Sequence, residues 1–316
     1  MAKADAKPIR TLLFVPGTDQ ERLEGAVEHG ADAVMIDLEE PRTPFPESAR
    51  ESARKAVRSF LDSDRAAGGA TAGRRPRWFA RVQPPATGQT LKDLRSVLGP
   101  TLTGVLLPKV YGPADIHRAD ALLTCTEADL GLPVGSTAIY PILETAQSLR
   151  LAYEIAVASE RVQYMGGAVS RFGDIHQAVG YTWTAEGKET LFLRSKVLID
   201  ARAAGIRYPI SGMWAGDTDD LDGLRRWATE LRGLGYYGMM LGAPAHVPEV
   251  NRIFSPTEAD IAFWKDLDRL ATEAEAAGSG PITYGERNQG EGHEVHLAHV
   301  GSARQNLRWA EELGLA

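Results

Sequence analysis

The sequence predicts a (β/α)8 barrel of the TIM type followed by a C-terminal helical extension, and three observations carry that prediction. Eight short, nearly all-apolar runs recur along the chain, longer amphipathic runs separate them, and charged residues stand where the short runs end. The expected division is a barrel over residues 1–255 and a helical extension or lid over residues 256–316.

The apolar runs fall at residues 11–15, 33–37, 78–82, 104–108, 138–142, 162–165, 208–211 and 238–241. Their lack of polar alternation is expected of parallel strands covered on both faces. Helical patterns fill the gaps. Residues 20–29 end at Gly30, a natural C-terminal stop, and residues 46–61, 91–98, 116–127 and 145–158 follow. Residues 189–204 end at Gly205, and residues 217–232 end at Gly233 with Asp217 or Thr218 as the cap. Residues 64–77, rich in Ala, Gly and Arg, read as a surface loop. Residues 277–294 read as a flexible connection between helices at 256–276 and about 300–313. A doubly wound open sheet is the alternative, because strand and helix alternation does not by itself show closure.

Composition narrows the class. The 316 residues are 43% hydrophobic and 24% charged with a net charge of −7, an ordinary globular balance that argues against a nucleic-acid or anionic-membrane partner. No stretch reaches the ~18 apolar residues of a membrane span, and the N-terminal residues lack an apolar signal core, so a cytoplasmic location is expected. The one cysteine, Cys125, excludes an internal disulfide and reads as a buried structural thiol in the 116–127 helix.

In such barrels chemistry gathers where the strands end. Asp37 ends the second strand, with Glu39 and Glu40 just beyond. Arg81 lies near the rim end of the third, Lys109 follows the fourth, Glu144 the fifth, and Asp174 lies in the loop after the sixth. One such charge is unremarkable, but five on one rim need pairing or a metal. Glu144 and Asp174 suit a hard cation, Mg2+ or Mn2+, which takes one or two carboxylates and keeps water or substrate oxygens. Zinc is not indicated, since no HxxxH or CxxC pattern occurs and the i, i+3, i+6 set His293, His296 and His299 follows a glycine-rich loop. Arg81 would hold a carboxylate and stabilise an enolate oxygen, or pair with Asp37 across the mouth; the two roles are compatible. Gly166, Gly167 and Gly173 would let backbone N–H groups approach an anion, though neither a phosphate loop nor a dinucleotide fingerprint is present. Arg74, Arg75 and Arg77 read as a solvated loop cluster, with a nucleotide phosphate as the lesser alternative.

The segments RTLLFVPGTDQERLEGA, ADAVMIDLEEPRTP, ARVQPPATG, GVLLPKV and PILETAQSLRLAYEIA follow one another in order, with GDIHQAVG and HVPEVNRIFSPTEADI beyond them. In this the chain resembles the HpcH/HpaI aldolase and citrate lyase β-subunit-like family, which includes malyl-CoA and citramalyl-CoA lyases. The resemblance spans nearly the whole chain. It implies a TIM barrel binding Mg2+ through Glu144 and Asp174, and a substrate-binding role for Arg81; Gly173 and Lys109, read from their places at the strand ends, are expected to bind substrate beside it. It also implies an acidic motif at Asp37, Glu39 and Glu40, and a homotrimer or hexamer. Three departures stand out: Gln83 where Asn is usual after the arginine, a longer loop carrying Arg171 before Asp174, and His296 roughly where the lyases carry a late Asp.

The expected activity is Mg2+-dependent carbon–carbon cleavage or formation on a hydroxyacyl-CoA or a related hydroxy or keto acid. The expected partners are therefore a small keto acid and a coenzyme A thioester. Asp37 (through water), His296 and a metal-bound hydroxide remain open as the base. The rivals are a thioesterase or synthase on the same barrel, and a non-catalytic binding protein or complex subunit.

Overall fold

The computed structural model describes residues 6–68, 75–167, 169–278, 282–284 and 293–316, and the chain separates into two compact units, Met1–Phe254 and Ser255–Ala316. The first unit begins with β1 (Thr11–Pro16), α1 (Gln20–Gly25), β2 (Ala33–Asp37), α2 (Glu47–Leu61), α3 (Asp64–Ala67) and β3 (Arg77–Arg81). It continues through α4 (Thr90–Val97), β4 (Leu102–Leu107), α5 (Pro113–Asp129), β5 (Ala138–Leu143), α6 (Ala146–Arg150) and α7 (Ala152–Val157). β6 (Gly166–Gly167), α8 (Asp174–Val179), α9 (Leu191–Ala203), β7 (Ile210–Ser211), α10 (Leu221–Leu234), β8 (Gly238–Leu241) and α11 (Val247–Ile253) complete it.

The strands form one parallel sheet in the order β6-β5-β4-β3-β2-β1-β8-β7. Backbone bonds from Ile210 N to Met165 O (3.4 Å) and Gly212 N to Gly167 O (3.2 Å) join its two ends. The sheet is therefore a nearly closed (β/α)8 barrel rather than an open one. Because strand side chains alternate between faces, each strand feeds two buried layers. Leu12, Met35, Phe79, Leu106, Tyr140 and Met240 fill the barrel interior. Leu13, Val34, Ile36, Trp78, Val105, Ile139 and Leu241 face the helices. The same parity, followed upward, turns Asp37, Arg81 and Glu144 inward above Met35, Phe79 and Ile142. This phase positions the site.

The opposite end of the barrel is tied by ion pairs. Arg161 donates to both carboxylate oxygens of Glu127 (2.9 and 2.7 Å), which also accepts from the amides of Gly135 and Thr137 (both 2.8 Å). Arg10 holds Asp32 through its side chain and its own amide. Arg77, at the start of β3, donates to the carbonyls of Lys7 and Pro8, and Arg75 to that of Ala67. The two described arginines of the 74–77 cluster thus serve the chain's own backbone, and Arg74 lies outside the described residues.

Several expected elements differ. The sixth strand forms at Gly166–Gly167, with only an isolated bridge from Val162 to Ile139 in the run expected to pair. The 145–158 helix is broken at Leu151 into α6 and α7. The cap of α10 is Asp220, whose carboxylate accepts from Gly223 N at 2.8 Å, and the helix runs through Gly233 to stop at Gly235, φ +113°. The 64–77 loop contains α3. Cys125 is exposed, not buried, because the inward face of α5 is set by Ile116, Ala119, Leu123 and Thr126, and residue 125 projects elsewhere.

The second unit holds α12 (Glu258–Ala277), β9 (Ile282–Tyr284), β10 (His293–Val295) and α13 (Leu297–Glu312). Thr257 caps α12 in a reciprocal box with Asp260, and Gly278 (φ +57°) ends it. Trp264 of α12 and Trp309 of α13 pack with ring centroids 6.3 Å apart. The described parts of the expected connection 277–294 include β9 and β10, an antiparallel pair. Among the described residues no helix is long and apolar enough to cross a membrane.

Candidate metal and substrate site

The ends of β2 and β3 make the centre of the site. Asp37 and Arg81 are register partners on neighbouring strands and share the inward parity. Arg81 Nε and Nη2 donate to the two oxygens of Asp37 at 2.7 and 2.9 Å, a bidentate fork. Arg81 Nη1 lies 3.0 Å from Glu39 Oε2. Those three contacts leave two of the five guanidinium N–H donors for a ligand. Asp37 also accepts from the Glu39 amide at 3.0 Å. Both of its oxygens are therefore engaged, two of these contacts being with Arg81.

Lys109 follows β4 with φ +51°, a left-handed conformation that costs a residue bearing a Cβ roughly 1–2 kcal/mol. The strain lets one residue reach three ways. Its amide donates to Glu144 Oε1 at 2.7 Å, its ammonium lies 2.9 Å from Glu39 Oε1 and 3.5 Å from Glu40, and Asp174 Oδ2 is 3.8 Å away. Burial alone would lower the lysine's pKa, but the Glu39 contact and the charges of Glu39, Asp174 and Glu40 outweigh it and hold it raised. Arg81 is likewise held raised against its burial by Asp37 and Glu39.

Glu144 shows the opposite strain. Burial pushes its carboxyl up to about 7; the Lys109 amide opposes this, while the negative charges of Glu39 and Asp174 add to it. Asp174 opens α8 after the extended cap residue Gly173 and is half exposed. Glu144, Asp174, Gly173 and Arg81 line one cavity of about 250 Å³ at the barrel mouth, with Phe14, Met35, Ile142, Met213 and Met240 as its apolar wall.

This donor set fits Mg2+. Glu144 and Asp174 offer hard oxygens, and Glu144 has one oxygen without a protein hydrogen-bond partner among the described residues. Five carboxylates (Asp37, Glu39, Glu40, Glu144, Asp174) face two cations (Arg81, Lys109), an imbalance that a divalent ion relieves. Among the described residues there is no group of three or more His, Cys, Asp or Glu that would make a cage, and two carboxylates plus water and substrate oxygens are what Mg2+ prefers.

Of the residues expected at the site, Asp37, Glu39, Glu40, Arg81, Lys109, Glu144, Gly173 and Asp174 are brought together. His296 belongs to the C-terminal unit, where it precedes α13, is exposed, and donates its amide to His299 Nδ1 at 3.1 Å. Two contributors were not among the expected site residues. Gln83 donates through Nε2 to the carbonyls of Leu38 and Glu39 (2.8 and 2.6 Å) and so pins the turn that presents Glu39. Tyr181 holds the loop before Asp174: its hydroxyl donates to Ser170 O (2.6 Å) and accepts from Ser170 N (3.0 Å). The unusual Gln83 was the visible signal for the first; nothing in the sequence marked the second.

The model of the HpcH/HpaI aldolase/citrate lyase family matches residues 10–244. The citrate lyase subunit beta of Leuconostoc mesenteroides subsp. cremoris is 29% identical over 279 residues, 87% of this chain and 86% of its own. A (3S)-malyl-CoA thioesterase of Cereibacter sphaeroides is 28% identical over 308 residues, 98% of this chain and 96% of its own. Among solved structures, CitE of Mycobacterium tuberculosis in complex with magnesium, acetoacetate and coenzyme A shares the fold. It has a TM-score of 0.68 and 24% identity, covering 97% of this chain and 99% of that one.

Proposed function

The chain belongs to the HpcH/HpaI aldolase/citrate lyase family, and from that premise we propose that it is a Mg2+-dependent carbon–carbon lyase cleaving a hydroxyacyl-CoA or a related hydroxy or keto acid. The observation that carries the reading is that Glu144, Asp174 and Arg81 line a single cavity at the barrel mouth. The magnesium, acetoacetate and coenzyme A held by the M. tuberculosis relative support the choice of ion and ligands.

Glu144 and Asp174 would hold the ion, Mg2+ or Mn2+, which would supply Lewis-acid polarisation of the substrate's carbonyl and carboxylate oxygens. In a retro-aldol cleavage a general base, whose identity the proposal leaves open, takes the hydroxyl proton and that oxygen becomes a carbonyl. The carbon–carbon bond breaks, and its electron pair passes into the thioester as an enolate. Arg81 faces that developing negative charge with its two unspent N–H donors. Asp37 and Glu39 fix the guanidinium plane beforehand, so no reorientation is needed as the charge forms. The apolar wall of Phe14, Met35, Ile142 and Met240 limits water around the enolate until it takes a proton at carbon.

The thioesterase relative, aligned over 98% of this chain, favours hydrolysis of the thioester as the second reading. One assay separates the two. Malyl-CoA incubated with the protein and Mg2+ yields glyoxylate and acetyl-CoA if the chain is a lyase, and malate with free thiol if it is a thioesterase. The lyase reading expects keto acid without stoichiometric thiol, activity abolished by EDTA, and a loss of about a thousandfold, ~4 kcal/mol, in Glu144→Ala and Asp174→Ala. Full activity in EDTA sinks the metal reading. Thiol release without keto acid sinks the lyase, and ligand binding with no turnover of any related adduct favours a binding protein.

A further inference from the structure

The loop between β6 and α8 carries a second arginine that the chemistry above does not use. Ser170, Gly173 and Asp174, on either side of Arg171, line the mouth cavity. The backbone here is fixed by Tyr181 at Ser170 and by Gly173 N donating to Ser170 Oγ at 3.0 Å. The guanidinium carbon lies 5.0 Å from the Trp183 ring centroid and 5.1 Å from that of Phe172, which is 84% exposed. Two rings and a tethered loop thus hold the side chain in place before any ligand arrives.

What distinguishes Arg171 from the site's other arginine is how little it spends. Arg81 makes three contacts of 3.0 Å or less. Arg171 has one described charge partner, Asp217 Oδ1 at 3.8 Å, beyond hydrogen-bond range, and the Asp217 side chain is 82% exposed. A pair so solvated is weak and readily exchanged. Asp217 lies in the loop after β7, and Gly212 and Met213 of that loop line the same cavity as Ser170. The Arg171–Asp217 pair therefore joins the loops after β6 and β7, both of which contribute residues to the cavity lining.

We infer that Arg171 is the receptor for a second anionic group of the ligand, a carboxylate that displaces Asp217, so that the mouth selects a dicarboxylic over a monocarboxylic keto acid. This rests on the reading of the mouth as a Mg2+–keto-acid site and adds the class of acid that it prefers. A planar fork suits a carboxylate, and its N–H donors lie in the plane that stacked rings leave open.

The test is calorimetry on the full chain in Mg2+ with pyruvate and freshly dissolved oxaloacetate, which differ by one carboxylate. Wild type is expected to bind oxaloacetate at least roughly tenfold more tightly. Arg171→Gln should bring the two within about twofold while pyruvate affinity holds, and Arg171→Lys should fall between, since an ammonium keeps charge but loses the fork. An unchanged oxaloacetate-to-pyruvate ratio in Arg171→Gln, or no preference in wild type, overturns this inference alone, because pyruvate binding would still stand. Binding of neither acid overturns the mouth-site reading and this inference with it.

Discussion

Replacing Arg81 by Met removes the guanidinium at nearly constant length and leaves its partners in place. Asp37, fully buried, loses both of its fork contacts (2.7 and 2.9 Å) and keeps only the Glu39 amide. Glu39 loses the 3.0 Å contact but retains Lys109 at 2.9 Å, so one buried ion pair is broken outright and a second is half kept. Breaking a buried pair from one side costs roughly 3–5 kcal/mol, because the remaining charge is left without compensation. For a barrel of this size each kcal/mol moves Tm by about 2–4 °C, which puts the expected fall at roughly 6–20 °C by scanning calorimetry. On the proposed mechanism turnover should fall by about a hundredfold or more, since the donor assigned there to the enolate is gone. Arg81→Lys should recover part of the stability and little of the rate, because an ammonium cannot form the fork. A Tm within about 2 °C of wild type in Arg81→Met would refute the claim that the two carboxylates depend on this arginine.

Two further outcomes follow from the same geometry. At Lys109 (φ +51°), Gly should be better tolerated than Ala by about 1 kcal/mol in urea unfolding, because both lose the ammonium but only Gly takes the left-handed backbone without strain; equal stabilities would contradict the strain argument. At the opposite end of the barrel, burial would raise the Glu127 carboxyl, but Arg161 and the amides of Gly135 and Thr137 outweigh it and hold it at about 2, against 4.5 ordinarily. A depressed folded value means stability present above about 4.5 and lost as pH falls toward 2. Glu127→Gln should therefore cost up to about 3 kcal/mol near pH 7 and progressively less in acid, and a pH-independent difference would contradict the pairing.

The sequence carried the barrel because its strands are short and apolar on both faces. β2 and β8 were legible to the residue because AVMID follows Asp32 and ends in its own acid, and GMML is closed by Gly242. β6 was not, since the apolar run 162–165 looks more strand-like than two glycines. Yet a Cβ at Gly166 would stand 1.9 Å from Ile210 O, and Gly167 has φ +115°, so only glycine permits the closing contact. Hydrophobic pattern does not register a strand chosen for its missing side chains. The α10 cap was misjudged because several acids compete there, and the choice of Asp220 depends on which carboxylate meets the Gly223 amide.

The charged part of the site was legible because each residue ends or follows a strand, where parity and register bring it to the mouth. Three parts were not. The apolar wall draws single residues from separate strands, Lys109 works through a backbone angle, and Gln83 acts on the backbone of another strand's turn. The wall and the backbone angle are tertiary facts with no local signature, and the unusual Gln83 was visible in the sequence without the contact that it makes. Cys125 shows the same limit on the helical side: an apolar-looking position proved exposed because the neighbouring large side chains set the buried face of α5.

The central claim is that Glu144 and Asp174 jointly hold a hard divalent ion. Its most direct test is a Mn2+ titration followed by electron paramagnetic resonance, with Mg2+ as competitor. One Mn2+ per chain, displaced by Mg2+ and lost in both Glu144→Gln and Asp174→Asn while each variant stays folded, is the predicted result. Stoichiometric Mn2+ retained by both variants, or no binding to the wild-type chain, would contradict it.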